Sequence, residues 1–315
     1  MPLARGVSDP IDHVLALDPG GRGIGHFFQA GGALRAARAL ARARRVLIVT
    51  GFVVADGMPE TDGPPGAAVL GRALRRLGAQ VRYTSDPVVL PALEASLRVL
   101  GEPADVFAYP EGRDAATSVL AREQPTHLVA IERPGRNRSG DYLNARGLSV
   151  AQWNGPLDEM FLLARRTGVS EPRPSRSGHP RSKPASRTPL QTIGVGDGGN
   201  EIGMGCVRAR LVREGSLMAR IASTVTVDHL VVAGVSNWGA YGIVAQLGRL
   251  SGQRLVHAPA EERALIDACV AAGAVDGLTR RPQPTVDALD ADTHAAVVAL
   301  LGLSWGDLSK RGERA

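Results

Sequence analysis

The chain has 315 residues, 44% of them hydrophobic, 22% charged and only 4% aromatic, with 38 glycines, so its core must come from Ala, Val and Leu packed around small residues. That length closes a real core, and two cysteines, Cys206 and Cys269, exclude a disulfide-stapled scaffold and a Cys-rich zinc site. The net charge of +6 does not mark a nucleic-acid binder, because Arg173, Arg176, Arg181, Lys183 and Arg187 crowd into one Pro-rich stretch and no aromatic-interleaved basic groove accompanies them.

No apolar run reaches the ~18–20 residues of a membrane span, and the first twenty residues lack the apolar stretch of a signal peptide. A cytoplasmic protein with no nucleic-acid and no membrane partner is expected. Seven short apolar runs rich in β-branched residues predict strands at Val46–Thr50, Gln80–Ser85, Ala104–Tyr109, His127–Ile131, Gln191–Val195, Val227–Val235 and Gln253–His257. Amphipathic stretches between them predict helices at Ala33–Arg44, Pro65–Leu77, Pro91–Leu100, Pro156–Thr167, Ala240–Leu250 and Glu261–Ala272. The alternation predicts an α/β fold, a mostly parallel β-sheet with helices on both faces, in one domain over residues 1–315. Residues 170–189 hold five prolines and no large apolar side chain, which predicts a basic, disordered insertion.

In such sheets ligands bind at loops leaving the carboxyl ends of strands. The first strand runs through Thr50 and Gly51 into Asp62-Gly63-Pro64-Pro65-Gly66, where the prolines stiffen a helix start. Asp62 there suits a helix cap, a metal ligand or an ammonium partner. After the strand His127–Ile131 come Glu132 and Arg133, and a carboxylate at that tip is hard to explain as packing. An exposed pair between Glu132 and a neighbouring arginine is the plain alternative. Tyr142, Asn144 and Arg146 follow on a Gly-punctuated loop within reach of a small polar ligand.

The strongest local feature is Ile193–Gly205, with six glycines enclosing Asp197, Asn200 and Glu201. Glycines at this density let backbone press closely around something polar. Three oxygen-bearing side chains in five positions suit a hard cation, so Mg²⁺ or Mn²⁺ is expected on Asp197 and Glu201, completed by Glu132 or Asp62. The alternative is a tight turn without ligand. The spacing Gly194-x-Gly196-x-x-Gly199 is no dinucleotide fingerprint, since it comes late and carries its acids inside the glycine run. A fourth loop offers Ser236 and Asn237 at a helix start and Trp238 as a pocket wall or a packed core residue. No G-x-S-x-G elbow and no zinc-type histidine spacing accompanies them.

Taken together, TGF with TDGPPGA, then AIERPG, GDGGNEIGMG and SNWGAY, resemble the D-glutamate cyclase C-terminal-like domain family, from about Gly20, where GGRGI opens, to about Asp276-Gly277. The resemblance implies conversion of D-glutamate, or a related amino acid, to 5-oxo-D-proline with loss of water. On that implication a cation on Glu132, Asp197 and Glu201 polarises the γ-carboxylate, and Asp62 or Glu201 carries the proton. Arg22 or Arg133 then fixes the α-carboxylate, Asn237 orients the amine, and Thr50, Gly51, Asn144, Asn200 and Ser236 complete the substrate site. A homo-oligomer is expected. A metal-dependent phosphohydrolase and a non-catalytic small-ligand sensor are the competing classes. Turnover of a phosphate ester would mark the first, and binding without turnover the second.

Overall fold

Strand β1 (Arg45–Thr50) is buried along all but its first residue, as its unbroken Val-Leu-Ile-Val run requires of a strand covered on both sides. The computed structural model describes residues 9–168 and 189–304. Five more strands complete the main sheet: β2 (Gln80–Ser85), β3 (Val106–Ala108), β4 (His127–Ile131), β5 (Gln191–Gly196) and β6 (His229–Val232). All pairings are parallel, in the order β3-β2-β1-β4-β5-β6. The insertion expected at residues 170–189 lies outside the described residues, Pro189 apart.

Helices flank this sheet. The helices Pro64–Arg76, Leu90–Val99, Ser236–Ser251 and Pro259–Ala271 pack on one another, while Ala115–Glu123 packs on Glu159–Gly168. Among the described residues no helix is long and apolar enough to cross a membrane.

The strand order reverses direction between β1 and β4, which opens a crevice beyond the carboxyl ends of those two strands. Register sharpens the point. Thr50 pairs with Ile131 and Ile131 with Val195, so the next residues, Gly51, Glu132 and Gly196, leave the sheet side by side.

One expected strand is absent. Residues 253–257 are irregular, because Gly252 (φ +70) ends the preceding helix in the left-handed conformation and the chain then enters Pro259–Ala271 directly. Leu255 and His257 are buried between helices, with the His257 ring edge-on to Tyr241. Burial at two alternate positions imitates a strand without any partner to pair with.

The glycines of the Ile193–Gly205 segment press mainly on their own chain. A Cβ on Gly194 would lie 2.5 Å from the Ile202 carbonyl oxygen and 3.0 Å from the Gly203 Cα, both backbone atoms that cannot swing aside. Gly194→Ala is therefore expected to cost about 1–3 kcal/mol, visible as a Tm lower by several degrees. Gly302, in the helix Ala291–Leu303, has open space around its Cβ position. Gly302→Ala should leave the Tm unchanged or raise it slightly, which scanning calorimetry on both variants checks.

Candidate functional site

The first turn of a helix carries backbone N–H groups with no partner in the helix itself. Two such ends meet over the crevice. Pro64 and Pro65 open one helix and have no N–H to satisfy, so the amides of Gly63 and Gly66 remain, and both donate to Asn237 Oδ1 at 3.0 and 2.7 Å. Asn237 Nδ2 donates to the Thr61 carbonyl at 3.3 Å. In return Asp62 accepts from Ser236 N at 2.9 Å and Asn237 N at 2.8 Å, capping the second helix from outside it. Gly66 permits the approach, since a Cβ there would meet Asn237 Oδ1 at 2.8 Å.

This junction gathers carboxylates. Asp62, Glu132 and Asp197 are 2%, 6% and 1% exposed, and each offers an oxygen within 4.8 Å of the other two. Asp197 accepts from Ser236 N at 3.1 Å through Oδ2 and pairs with Arg22 Nη1 through Oδ1. Glu132 accepts from Ser236 Oγ at 2.5 Å. Its backbone stands at φ +43, a conformation non-glycine residues seldom adopt, and one that marks a strained strand tip. Burial, then the charge of Asp287, pushes the Asp62 carboxyl up to about 7. Burial likewise holds Glu132 and Asp197 well above the carboxylate range, with neighbouring acids adding to both and Arg22 opposing it at Asp197.

The three carboxylates are a donor set that can hold a metal ion. The fit rests on donor chemistry, since all-oxygen donors in a buried cluster suit a hard cation. Glu60 Oε1 and Asp287 Oδ2, buried in the adjoining pocket, have no hydrogen-bond partner.

A pocket of about 100 Å³ opens over the cluster, lined by Glu132, Asp197 and four more residues expected from the sequence: Arg22, Asn144, Asn200 and Glu201. Within it, Asn144 Oδ1 accepts from the amides of Arg146 and Leu148, and Asn200 Nδ2 donates to the Leu143 carbonyl at 2.7 Å. Three larger hollows, of about 400, 480 and 560 Å³, lie away from these acids.

Several expected roles change. Glu201 stands outside the converging triad, because its carboxylate accepts from the amides of Asp197, Gly198 and Gly199 at 3.2, 2.6 and 2.8 Å. The glycine loop is a nest for its own glutamate, and Asp62 takes the place in the cluster given to Glu201. Arg133 is fully buried, its Nη atoms donate to Asp86 and to the carbonyls of Gly51 and Gly155, and it is not among the residues that line the pocket where a substrate carboxylate was expected to meet it. Asn237 is likewise buried and spent on backbone, so it positions helices rather than an amine. Trp238 is a core residue that donates to His294 at 2.9 Å. Ser236 acts through Glu132, and Thr50 and Gly51 lie beneath the acids, where a Cβ on Gly63 would sit 2.7 Å from Thr50 Oγ1.

Sequence reasoning missed Glu60, Asp287 and Arg280, which also line the pocket. Glu60 carried a weak signal, two residues from Asp62 in the same loop. Asp287 and Arg280 carried none.

A sequence family described as D-glutamate cyclase-like, C-terminal, matches residues 11–171 and 182–302. The human mitochondrial D-glutamate cyclase is 36% identical over 259 residues, which cover 75% of this chain and 38% of that protein, so the chain spans well under half of the relative's length. Two solved structures are distant: exonuclease RecJ bound to manganese (12% identity, TM-score 0.36, 76% of this chain and 43% of that one) and an exopolyphosphatase-related protein from Bacteroides fragilis (9%, 0.39, 90% and 59%).

The raised Asp62 value sets a stability trend. An acid whose folded pKa lies above its unfolded value binds more protons folded than unfolded between the two, so its contribution falls as pH rises from about 4 to 7. With chelator present, Tm should drop across that window more steeply in wild type than in Asp62→Asn. Equal slopes in a melting series at stepped pH would remove Asp62 as the cause.

Proposed function

The chain belongs to the D-glutamate cyclase-like C-terminal family, and from that membership together with the buried triad we propose that it is a lyase converting D-glutamate, or a close analogue, to 5-oxo-D-proline and water. The observation that carries the reading is the convergence of Asp62, Glu132 and Asp197 beside a small pocket lined by charged side chains of both signs.

The reaction forms a bond from the α-nitrogen to the γ-carbon and breaks one γ-carbon–oxygen bond. Two ammonium protons leave with that oxygen as water. An ammonium is no nucleophile and a carboxylate is a poor electrophile, so the site must take up protons and offset negative charge. Mg²⁺ or Mn²⁺ on Asp62, Glu132 and Asp197, when bound, would draw charge from the γ-carboxylate and make its carbon electrophilic.

The chain's own groups supply the remainder. Asp62 spends Oδ1 on the amides of Gly63 and Asn237 and only one hydrogen bond on Oδ2, which leaves a lone pair of Oδ2 for the cation. Ser236 holds Glu132 by its hydroxyl and Asp197 by its amide, fixing both relative to Asp62. Burial and the neighbouring acids raise Glu132 and Asp197 above the ordinary carboxylate range, which makes each a stronger base than an exposed carboxylate. Arg22, Arg146 and Arg280 line the pocket as partners for substrate carboxylate.

Asp197→Asn removes charge where it counts most in the transition state. Turnover of D-glutamate, followed as 5-oxoproline by mass, should fall at least ~100-fold, equal to ~2.7 kcal/mol, with little change in Tm. Near-normal turnover would reduce Asp197 to a turn residue.

The metal has its own test. Calorimetric titration with Mn²⁺ should show affinity lost in Glu132→Gln, whereas Glu201→Gln should mainly lower Tm, since an amide donor would face three backbone N–H groups. The opposite pattern would return the cation to Glu201.

A further inference from the structure

We infer that Glu60 and Asp287 form the seat of the substrate's primary ammonium, making Asp287 a specificity-determining residue; the inference rests on the reading of the site as one for an amino acid. Both side chains line the pocket, and both are more than nine-tenths buried. Each keeps one oxygen without a partner, Oε1 of Glu60 and Oδ2 of Asp287, while Arg22 pairs with the other Asp287 oxygen. A buried acceptor left unmade costs free energy that a donor from a ligand recovers. Two acceptors on neighbouring walls of so small a pocket fit a compact group with several N–H donors and a positive charge. A primary ammonium is that group. A divalent ion is better served by the three-carboxylate cluster alongside.

The seat is assembled before any ligand arrives. Asp276 accepts from the amides of Leu278, Thr279 and Ala288 and from Thr285 Oγ1 at 2.7–3.0 Å, tying the loop 276–288 into one unit. Thr61 Oγ1 donates to the Thr285 carbonyl at 2.7 Å, and Glu60 Oε2 fills the space where a Cβ on Gly277 would stand. Arg280, Asp287 and Ala288 are held at φ +58, +55 and +63, strained for non-glycine residues and maintained only by such surroundings.

The placement also orients the substrate. Ammonium and α-carboxylate share a carbon, so the acid pair needs a cation close by, and Arg22 and Arg280 provide it. The side-chain carboxylate then points to Asp62, Glu132 and Asp197.

Glutarate has the carbons and carboxylates of D-glutamate without its amine, and it supplies the test. On the full chain with Mn²⁺, the KM for D-glutamate and the inhibition constant of glutarate are compared in wild type, Asp287→Asn and Asp287→Glu. If wild type shows no turnover, calorimetric Kd values for both ligands replace them. Asp287→Asn should weaken D-glutamate at least ~10-fold and glutarate by less than ~3-fold, with kcat changed less than KM and partial recovery in Asp287→Glu. Equal weakening of both ligands would make Asp287 only a prop for Arg22 and overturn the inference. So would wild type holding glutarate as tightly as D-glutamate, even if it cyclises the latter. Wild type that prefers D-glutamate without cyclising it would keep the seat and overturn the proposed reaction, and binding of neither would overturn both. Should Asp287→Asn fail to fold, Glu60→Gln takes its place in the same comparison.

Discussion

Two helix N-termini complete one another at the centre of this molecule, and the site exists because of how they do it. Neither helix has a side-chain cap of its own. Asn237, from the first turn of Ser236–Ser251, supplies the acceptor for Pro64–Arg76, and Asp62, two residues before Pro64–Arg76, supplies the acceptors for Ser236–Ser251. Both helix dipoles then aim their positive ends at the crevice between β1 and β4. Buried carboxylates are expensive almost anywhere else in a fold. Here oriented amides already offset part of that cost, which lets Asp62 and Asp197 stand within reach of Glu132.

The offset is incomplete. Asp62, Glu132, Asp197, Glu60 and Asp287 surround one guanidinium, Arg22, which pairs with Asp197 and Asp287. Burial and mutual repulsion raise Glu60, Asp62, Glu132 and Asp197 above the ordinary carboxylate range. A cluster so built favours protonation when alone and cations when they are offered. That preference connects the capping geometry to the proposed chemistry, in which an ammonium must lose protons and a carboxylate must lose charge.

Much of this was legible in the sequence, for identifiable reasons. Glu132 stood out because a carboxylate directly after five apolar strand residues has no packing explanation, and the strand tip proved to be strained and central. Asp62 remained open between cap and ligand, and it is a cap whose remaining lone pair faces the cluster. Glu201 misled because closeness along a chain is not convergence in space: its loop turns back and wraps its own carboxylate. Arg133 and Asn237 look like ligand groups by type, yet burial commits them to backbone carbonyls, amides and Asp86, contacts set by tertiary packing. Asp287 was invisible because its role depends on a loop held by Asp276 and Thr61, and no local pattern reports that docking.

Size and charge together narrow what the pocket admits. The pocket is small and lined by charged groups of both signs. Its floor is acidic and buried while Arg22, Arg146 and Arg280 supply the positive charge, so a ligand must present both signs at separated positions. A simple anion would leave the unpartnered oxygens of Glu60 and Asp287 unmet, and a simple amine would bring no anion to the arginines of the pocket wall. On the proposed reading an amino acid with a second carboxylate meets both kinds of group, and the distance between its ammonium and that carboxylate is what ring closure has to span. The proposed reaction requires the geometry that selects such a molecule also to hold its two ends where a five-membered lactam can form.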